Sequence, residues 1–196
     1  MKVFAFLILF FGILFIPKNL LARKGIVLEK KIHFFSSVTE VDTFKLSYNS
    51  DDLQDTIVFE IISSKGYLIY QVKFPGSALF DYGKPSYMFI SDKGWKPKDY
   101  FKNAEDSIIK TDSLKIEDDR YLRSRVNGFF DEKRFSRNPI PKLLKEYKDN
   151  LIVGSYETLL NDPEVIGFSY HLYEEDGRMI AFSRKKNKVV YFWRCC

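Results

Sequence analysis

The spacing of apolar and polar positions changes period twice along this chain, and each change marks an element boundary. From Thr39 to Tyr48, Val41, Thr43 and Lys45 alternate with Phe44, Leu46 and Tyr48, and Asn49, Ser50, Asp51 and Asp52 close the run with turn chemistry. The segment reads as a strand. Two further β-rich runs, Thr56 to Ser63 and Tyr67 to Phe74, are joined by Ser63, Ser64, Lys65 and Gly66, where glycine supplies a positive φ. They predict a hairpin. On its second arm Leu68, Tyr70, Val72 and Phe74 share a face opposite Gln71 and Lys73, as expected of a sheet covered on one side. The first arm, with Ile57, Phe59 and Ile61 against Val58, Glu60 and Ile62, is more apolar and is expected inside the sheet.

Between Pro75 and Asp112 no period survives, because Gly76, Gly83, Pro85, Gly94 and Pro97 interrupt it. A long connection is expected there, tied to the core by Phe80, Tyr82, Tyr87, Phe89, Trp95, Tyr100 and Phe101. From Ile116 to Phe135 the period becomes helical, placing Leu122, Val126, Phe129 and Phe130 on one face, with Glu117, Asp118 and Asp119 at the expected positive end of the helix dipole. A second helical pattern follows Pro141, with Leu143, Leu144 and Tyr147 inward and Lys142, Lys145 and Lys148 outward. A short turn over Tyr156 to Asn161 is expected to be capped by the Ser155 hydroxyl and stopped by Pro163. The period then returns to two. Ile166–Tyr173, Arg178–Arg184 and Val189–Arg194, separated by the turn Glu174 to Gly177 and by Lys185 to Lys188, predict a three-stranded antiparallel meander. Phe168, Tyr170 and Leu172 share a face in it, as do Ile180 and Phe182, and Val190 and Phe192.

The expected architecture is therefore α+β. A mainly antiparallel sheet is built from an N-terminal hairpin group and a C-terminal meander, with two or three helices between them and the strands in one curved sheet or two packed layers. Residues 23–196 form one domain in this reading. The 33 aromatic residues, 19 Phe, 12 Tyr and 2 Trp or 17% of 196, favour pleated, half-buried surfaces and agree with it.

Residues 1–22 stand apart. Val3 to Ile16 is an apolar run of 14 behind Lys2, short of the about 20 residues that span a bilayer, and it fits the apolar core of a secretory signal peptide. Ala22 offers the small residue needed before a cleavage site, while Leu20 is larger than its usual partner. An uncleaved N-terminal anchor is the alternative, and Lys18, Arg23 and Lys24 give no charge bias to decide between them. The acceptor Cys of a bacterial lipoprotein is absent near residue 22.

The net charge of +5 falls to +3 without Lys2 and Lys18, and acids interrupt the basic residues at nearly every point. That balance argues against a nucleic-acid partner. The group Arg184, Lys185, Lys186 and Lys188 reads as a solvated hairpin tip. With only 2 His and 2 Cys, zinc fingers, iron–sulfur clusters and disulfide frameworks are excluded, and no cofactor or metal motif is present. His33 and His171 fall in separate predicted strands. His171 shares a face with Ser169 and Tyr173 near Glu174 and Glu175, but no nucleophile-elbow glycines surround Ser169, so the default is a sheet-surface imidazole and no catalytic residue is assigned. The acid groups Asp51 and Asp52, Asp118 and Asp119, and Glu174 to Asp176 read as turn or helix-start acids. Cys195 and Cys196 are adjacent, which strains a bridge between them and leaves them as redox candidates. Tyr191 and Trp193, on one side of the last strand, join Trp95, Tyr100 and His171 as candidates for a ligand or partner surface.

The run Asp42-Thr43-Phe44-Lys45-Leu46, the hairpin ending Ile69 to Pro75, the segment Phe129-Phe130-Asp131-Glu132, and the ending from Gly167-Phe168-Ser169-Tyr170 to Cys195-Cys196 resemble a group of small exported proteins of unknown function from Bacteroidota, over most of residues 40–196. Members of that group are often lipoproteins. The resemblance implies export to the cell envelope, periplasmic or at the cell surface, and carries no activity or site residues with it. The expected function is an extracytoplasmic, envelope-associated binding or interaction protein whose partner is an envelope protein or a small ligand, with membrane contact only through residues 1–22 if they remain. A hydrolase using a cleft near His171 and a structural subunit of an envelope complex are the alternatives.

Overall fold

The computed structural model describes residues 26–49, 52, 55–80, 104–173 and 176–195, without the side chains of 26–28 and 104–114. The expected leader or anchor, Trp95, Tyr100, Glu174, Glu175 and Cys196 lie outside the described residues.

Alternating burial in the first half builds one antiparallel sheet in the order β1 (Ile26–Phe34), β2 (Val41–Asn49), β3 (Thr56–Ile62) and β4 (Leu68–Pro75). The predicted strand and hairpin are present, β3 is interior, and Gly66 turns the hairpin at φ +82°. β1 adds an edge strand, joined to β2 by a loop that Asp42 organises. The carboxylate of this buried residue accepts from the Ser36 backbone N–H at 2.6 Å and from its hydroxyl at 2.8 Å.

The meander forms the second sheet, in the order β5 (Phe135–Arg137), β6 (Ile166–Leu172), β7 (Asp176–Ser183) and β8 (Lys188–Cys195). Between the two sheets lies an aromatic core. Phe59 sits at its centre, fully buried, with the rings of Phe44, Tyr70, Phe129, Phe130, Phe168 and Tyr170 at centroid distances of 5.4 to 6.1 Å. His33 closes the β1 side, stacked on Phe135 at 3.9 Å. Its Nε2 lies 3.1 Å from Glu132, and Glu132 also binds Lys31 at 2.9 Å. A smaller second cluster covers the outer face of the second sheet, where Ile140, Leu143, Leu151, Leu159 and Val165 pack on Ala181, Val190 and Phe192.

Two helices are described, α1 (Ala104–Asn127) and α2 (Ile140–Glu146). Leu122, Val126, Phe129 and Phe130 are all buried as expected, but α1 begins at Ala104 and ends at Asn127 rather than running from Ile116 to Phe135. Glu117, Asp118 and Asp119 consequently lie in the body of the helix and do not meet its positive end. On α2 the lysines face out and Leu143 faces in, while Tyr147 is half exposed and edge-on to Trp193 at 6.4 Å. The turn at Tyr156–Thr158 has no side-chain cap from Ser155; the Thr158 hydroxyl instead donates to the Ser155 carbonyl at 2.7 Å.

Two bulges correct the predicted faces. In β4 the partners step from Ile61–Tyr70 to Ile62–Leu68, so Ile69 is an extra residue and Leu68 turns outward, 53% exposed, away from Tyr70, Val72 and Phe74. In β8 they step from Met179–Trp193 to Ile180–Tyr191, so Phe192 is extra. Tyr191 therefore packs on the inter-sheet core and Trp193 on the outer cluster, and the two do not share a side.

Candidate functional site

Of the residues singled out from the sequence, Tyr191, Trp193, His171 and Cys195 converge on the end of the second sheet formed by the close of β6, the start of β7 and the close of β8. The sheet divides them between its two faces.

On the inner face, Tyr170, Arg178 and Arg194 stand in one cross-strand row. Arg178 binds the Asp176 carboxylate through Nε at 3.1 Å to each oxygen, stands beside Tyr170 across the strands, and lies over the Tyr191 ring, 5.9 Å from its centroid. Arg194 reaches the same carboxylate at 3.4 Å. The Tyr70 hydroxyl of the first sheet meets that of Tyr170 at 2.7 Å, which ties the two sheets together by a polar contact. The Arg178 hydrogen bonds hold Asp176 below the usual carboxylate range. Burial raises all three tyrosines above their ordinary value, with Tyr170 adding to the rise at Tyr70. Tyr191 OH has no hydrogen-bond partner among the described residues, and neither does Trp193 Nε1 on the other face. This inner cluster is a set of neutral phenols around a satisfied ion pair. It joins the sheets and offers no group poised to move a proton near neutral pH.

On the outer face the row is His171, Gly177 and Cys195. Gly177 belongs to β7 and is not the close of the preceding turn. A Cβ at this buried glycine would meet Cys195 Sγ at 2.8 Å and His171 Nε2 at 3.1 Å, so the two side chains lean over it from either side. The sequence left both as isolated candidates; a glycine inside a strand was the signal that side chains crowd there. Ser169 lies one row along the same face, but its hydroxyl donates to the Arg134 carbonyl at 3.2 Å.

A third surface, absent from the sequence-derived candidates, is the outer face of the first sheet. Its rows, read across the four strands, are Phe34 and Val41; Ile32, Thr43, Ile62 and Leu68; and Lys30, Lys45, Glu60 and Gln71. Ile32 is 63% exposed, Phe34 42% and Val41 41%, with Tyr67 at 68% beside Leu68. Beyond this apolar end, Glu60 is held by Lys45 and Gln71 at 2.8 Å each, and Lys30 and Lys73 remain exposed, so the face carries three lysines against one acid. The bulge at Ile69 is what puts Leu68 on it.

The basic hairpin tip is divided. Arg184 is bound by Asp162 and Lys186 by the Gly154 carbonyl at 2.6 Å, and an open depression of about 330 Å³ beside Arg184 is lined by Glu157, Thr158, Asn161 and Asp162. Among the described residues no group of three metal-ligating side chains is found and no helix is long and apolar enough to cross a membrane. Comparisons with protein-family models, with curated proteins and with solved structures find no match to this chain.

Proposed function

We propose that this chain is an extracytoplasmic, envelope-associated binding protein and that it holds a protein partner on the outer face of its first sheet. The observation that carries this reading is the row Ile32, Thr43, Ile62 and Leu68 with Phe34 and Val41 beside it, in which Ile32, Leu68, Phe34 and Val41 are exposed on the sheet face turned away from the aromatic core. Contiguous exposed apolar surface rimmed by polar residues is what an interaction site presents. The lysines beyond the row favour a partner that pairs apolar side chains with acids. Export is supported by the apolar run Val3 to Ile16 and by the resemblance to exported Bacteroidota proteins. The hydrolase reading has less support, because the Ser169 hydroxyl, the candidate nucleophile on the face of His171, donates to the Arg134 carbonyl instead.

The test is co-purification of the tagged full chain from the envelope fraction of its own cells, against the double variant Ile32→Lys, Leu68→Lys. Both positions are exposed, so the variant keeps its fold. A stoichiometric partner present with the parent chain and lost with the variant is expected; identical partners from both, or recovery of the chain in the cytoplasmic fraction, overturns the proposal.

A further inference from the structure

We propose that Cys195 is a thiol–disulfide exchange site for small disulfides, with His171 as the base that takes its proton. The argument starts from Gly177. Antiparallel register places His171, Gly177 and Cys195 side by side on β6, β7 and β8, and the missing Cβ of the central residue lets the flanking side chains close over it. Sγ and Nε2 each come within about 3 Å of the point where that Cβ would stand, at 2.8 and 3.1 Å. A thiolate is the attacking species in exchange, and an adjacent imidazole that accepts the thiol proton raises its population near neutral pH. Cys195 is a half-buried thiol and His171 is exposed, so a small disulfide can approach the sulfur while the ring remains in contact with water.

The next row of this face is Ser169, Met179 and Trp193, none of them charged. Asp176, Arg178 and Arg194 stand on the opposite face by strand alternation, and Lys188 lies on this face at the far end of β8, level with Ser183. The covering segment that pairs Leu151 with Trp193 carries Lys148 and Asp149, both solvent-exposed. Among the described residues, His171 is the ionisable side chain that approaches the same point over Gly177 as the sulfur.

In the reaction, His171 Nε2 takes the Sγ proton and the Cys195 thiolate attacks one sulfur of the disulfide. A new S–S bond forms to Cys195 and the old S–S bond breaks. Its second sulfur leaves as a thiolate and receives the proton from His171. One disulfide and one thiol enter, and one mixed disulfide and one thiol leave, with no other oxidant.

The experiment uses the full chain with Cys196→Ser, so that a single thiol reports, and dipyridyl disulfide as the probe. The released pyridinethione is followed by absorbance between pH 5 and 10, and the adduct is located by peptide mass spectrometry. The expected profile rises to half its plateau below the ordinary thiol value of about 8.5, and adding His171→Asn moves that midpoint up toward it and slows the reaction at pH 6 by about tenfold or more. Gly177→Ala, whose methyl parts the two side chains, slows it in the same direction if circular dichroism shows the fold retained. A midpoint near the ordinary thiol value that His171→Asn leaves unchanged overturns the proposal, as does the absence of an adduct at Cys195. Because His171 is exposed, its replacement by Asn keeps the test decisive even where Gly177→Ala does not fold.

Discussion

Replacing Tyr70 by Phe removes one side of the only hydroxyl pair described between the sheets, and the consequence is read most clearly at alkaline pH. Tyr70 and Tyr170 meet at 2.7 Å with Tyr170 fully buried, and burial raises both above the ordinary tyrosine value of 10.0. The unfolded chain ionises Tyr70 near that value while the folded chain, where burial raises it most, keeps its proton. A group raised in the fold leaves stability intact below its unfolded value and withdraws it as pH rises past that value. From pH 9 to 11 Tyr70 withdraws about 1.4 kcal/mol, and Tyr170, also raised by burial, adds a loss in the same direction. Tyr70→Phe removes the Tyr70 contribution, so the variant's loss over the same interval is smaller by about 1.4 kcal/mol. At pH 7 the variant is less stable by about 1 kcal/mol, the net worth of one hydrogen bond. Urea unfolding followed by tryptophan fluorescence at each pH measures both quantities. Equal alkaline losses in the parent and the variant, or an ultraviolet titration in which all 12 tyrosines ionise with ordinary midpoints, refute the reasoning.

Three further outcomes are expected. Phe59→Ala, at the centre of six packed rings and fully buried, destabilises the fold by about 3 to 5 kcal/mol in urea unfolding at pH 7. Asp176→Asn flattens the acid limb of the stability profile: Asp176 is lowered by Arg178, so its contribution is present above the ordinary carboxylate value of 3.8 and is lost as pH falls below it, which thermal melts at pH 5, 4 and 3 compare directly. Gly66→Ala, at φ +82° with open space around it, costs about 1 kcal/mol through backbone strain alone and leaves the open sheet face and the His171–Cys195 row unchanged.

Where the period of burial is regular the sequence is a sufficient guide. The faces of Phe44, Leu46 and Tyr48, of Ile57, Phe59 and Ile61, and of Leu122, Val126, Phe129 and Phe130 follow from spacing alone, since each run packs on one surface. The misreadings have specific causes. A bulge adds one residue without altering composition, so the extra residues Ile69 and Phe192 reverse the faces of Leu68 and Trp193 while the sequence still alternates. β1 mixes Lys31 and His33 with apolar residues because its inner side chains bind Glu132 and stack on Phe135 at a sheet edge, not in a dry core. β5 is three residues long, too short to show a period. Glu117, Asp118 and Asp119 resembled a helix start because acids favour that position, yet they also suit the outer face of a helix already under way. Of the candidate site, His171 and Cys195 were visible as residue types. Their meeting over Gly177 required the register of three strands, and the apolar face of the first sheet required the bulge at Ile69.

The central claim, that the outer face of the first sheet holds a protein partner, is tested most directly by photo-crosslinking in intact cells. A photoreactive amino acid is placed at Ile32 or at Leu68 on that face, and at Lys145 on the exposed side of α2 as the control position. The account predicts the same single crosslinked species from positions 32 and 68 and none from 145. Crosslinks from 145 alone, equal yields from all three, or none from 32 and 68 contradict it.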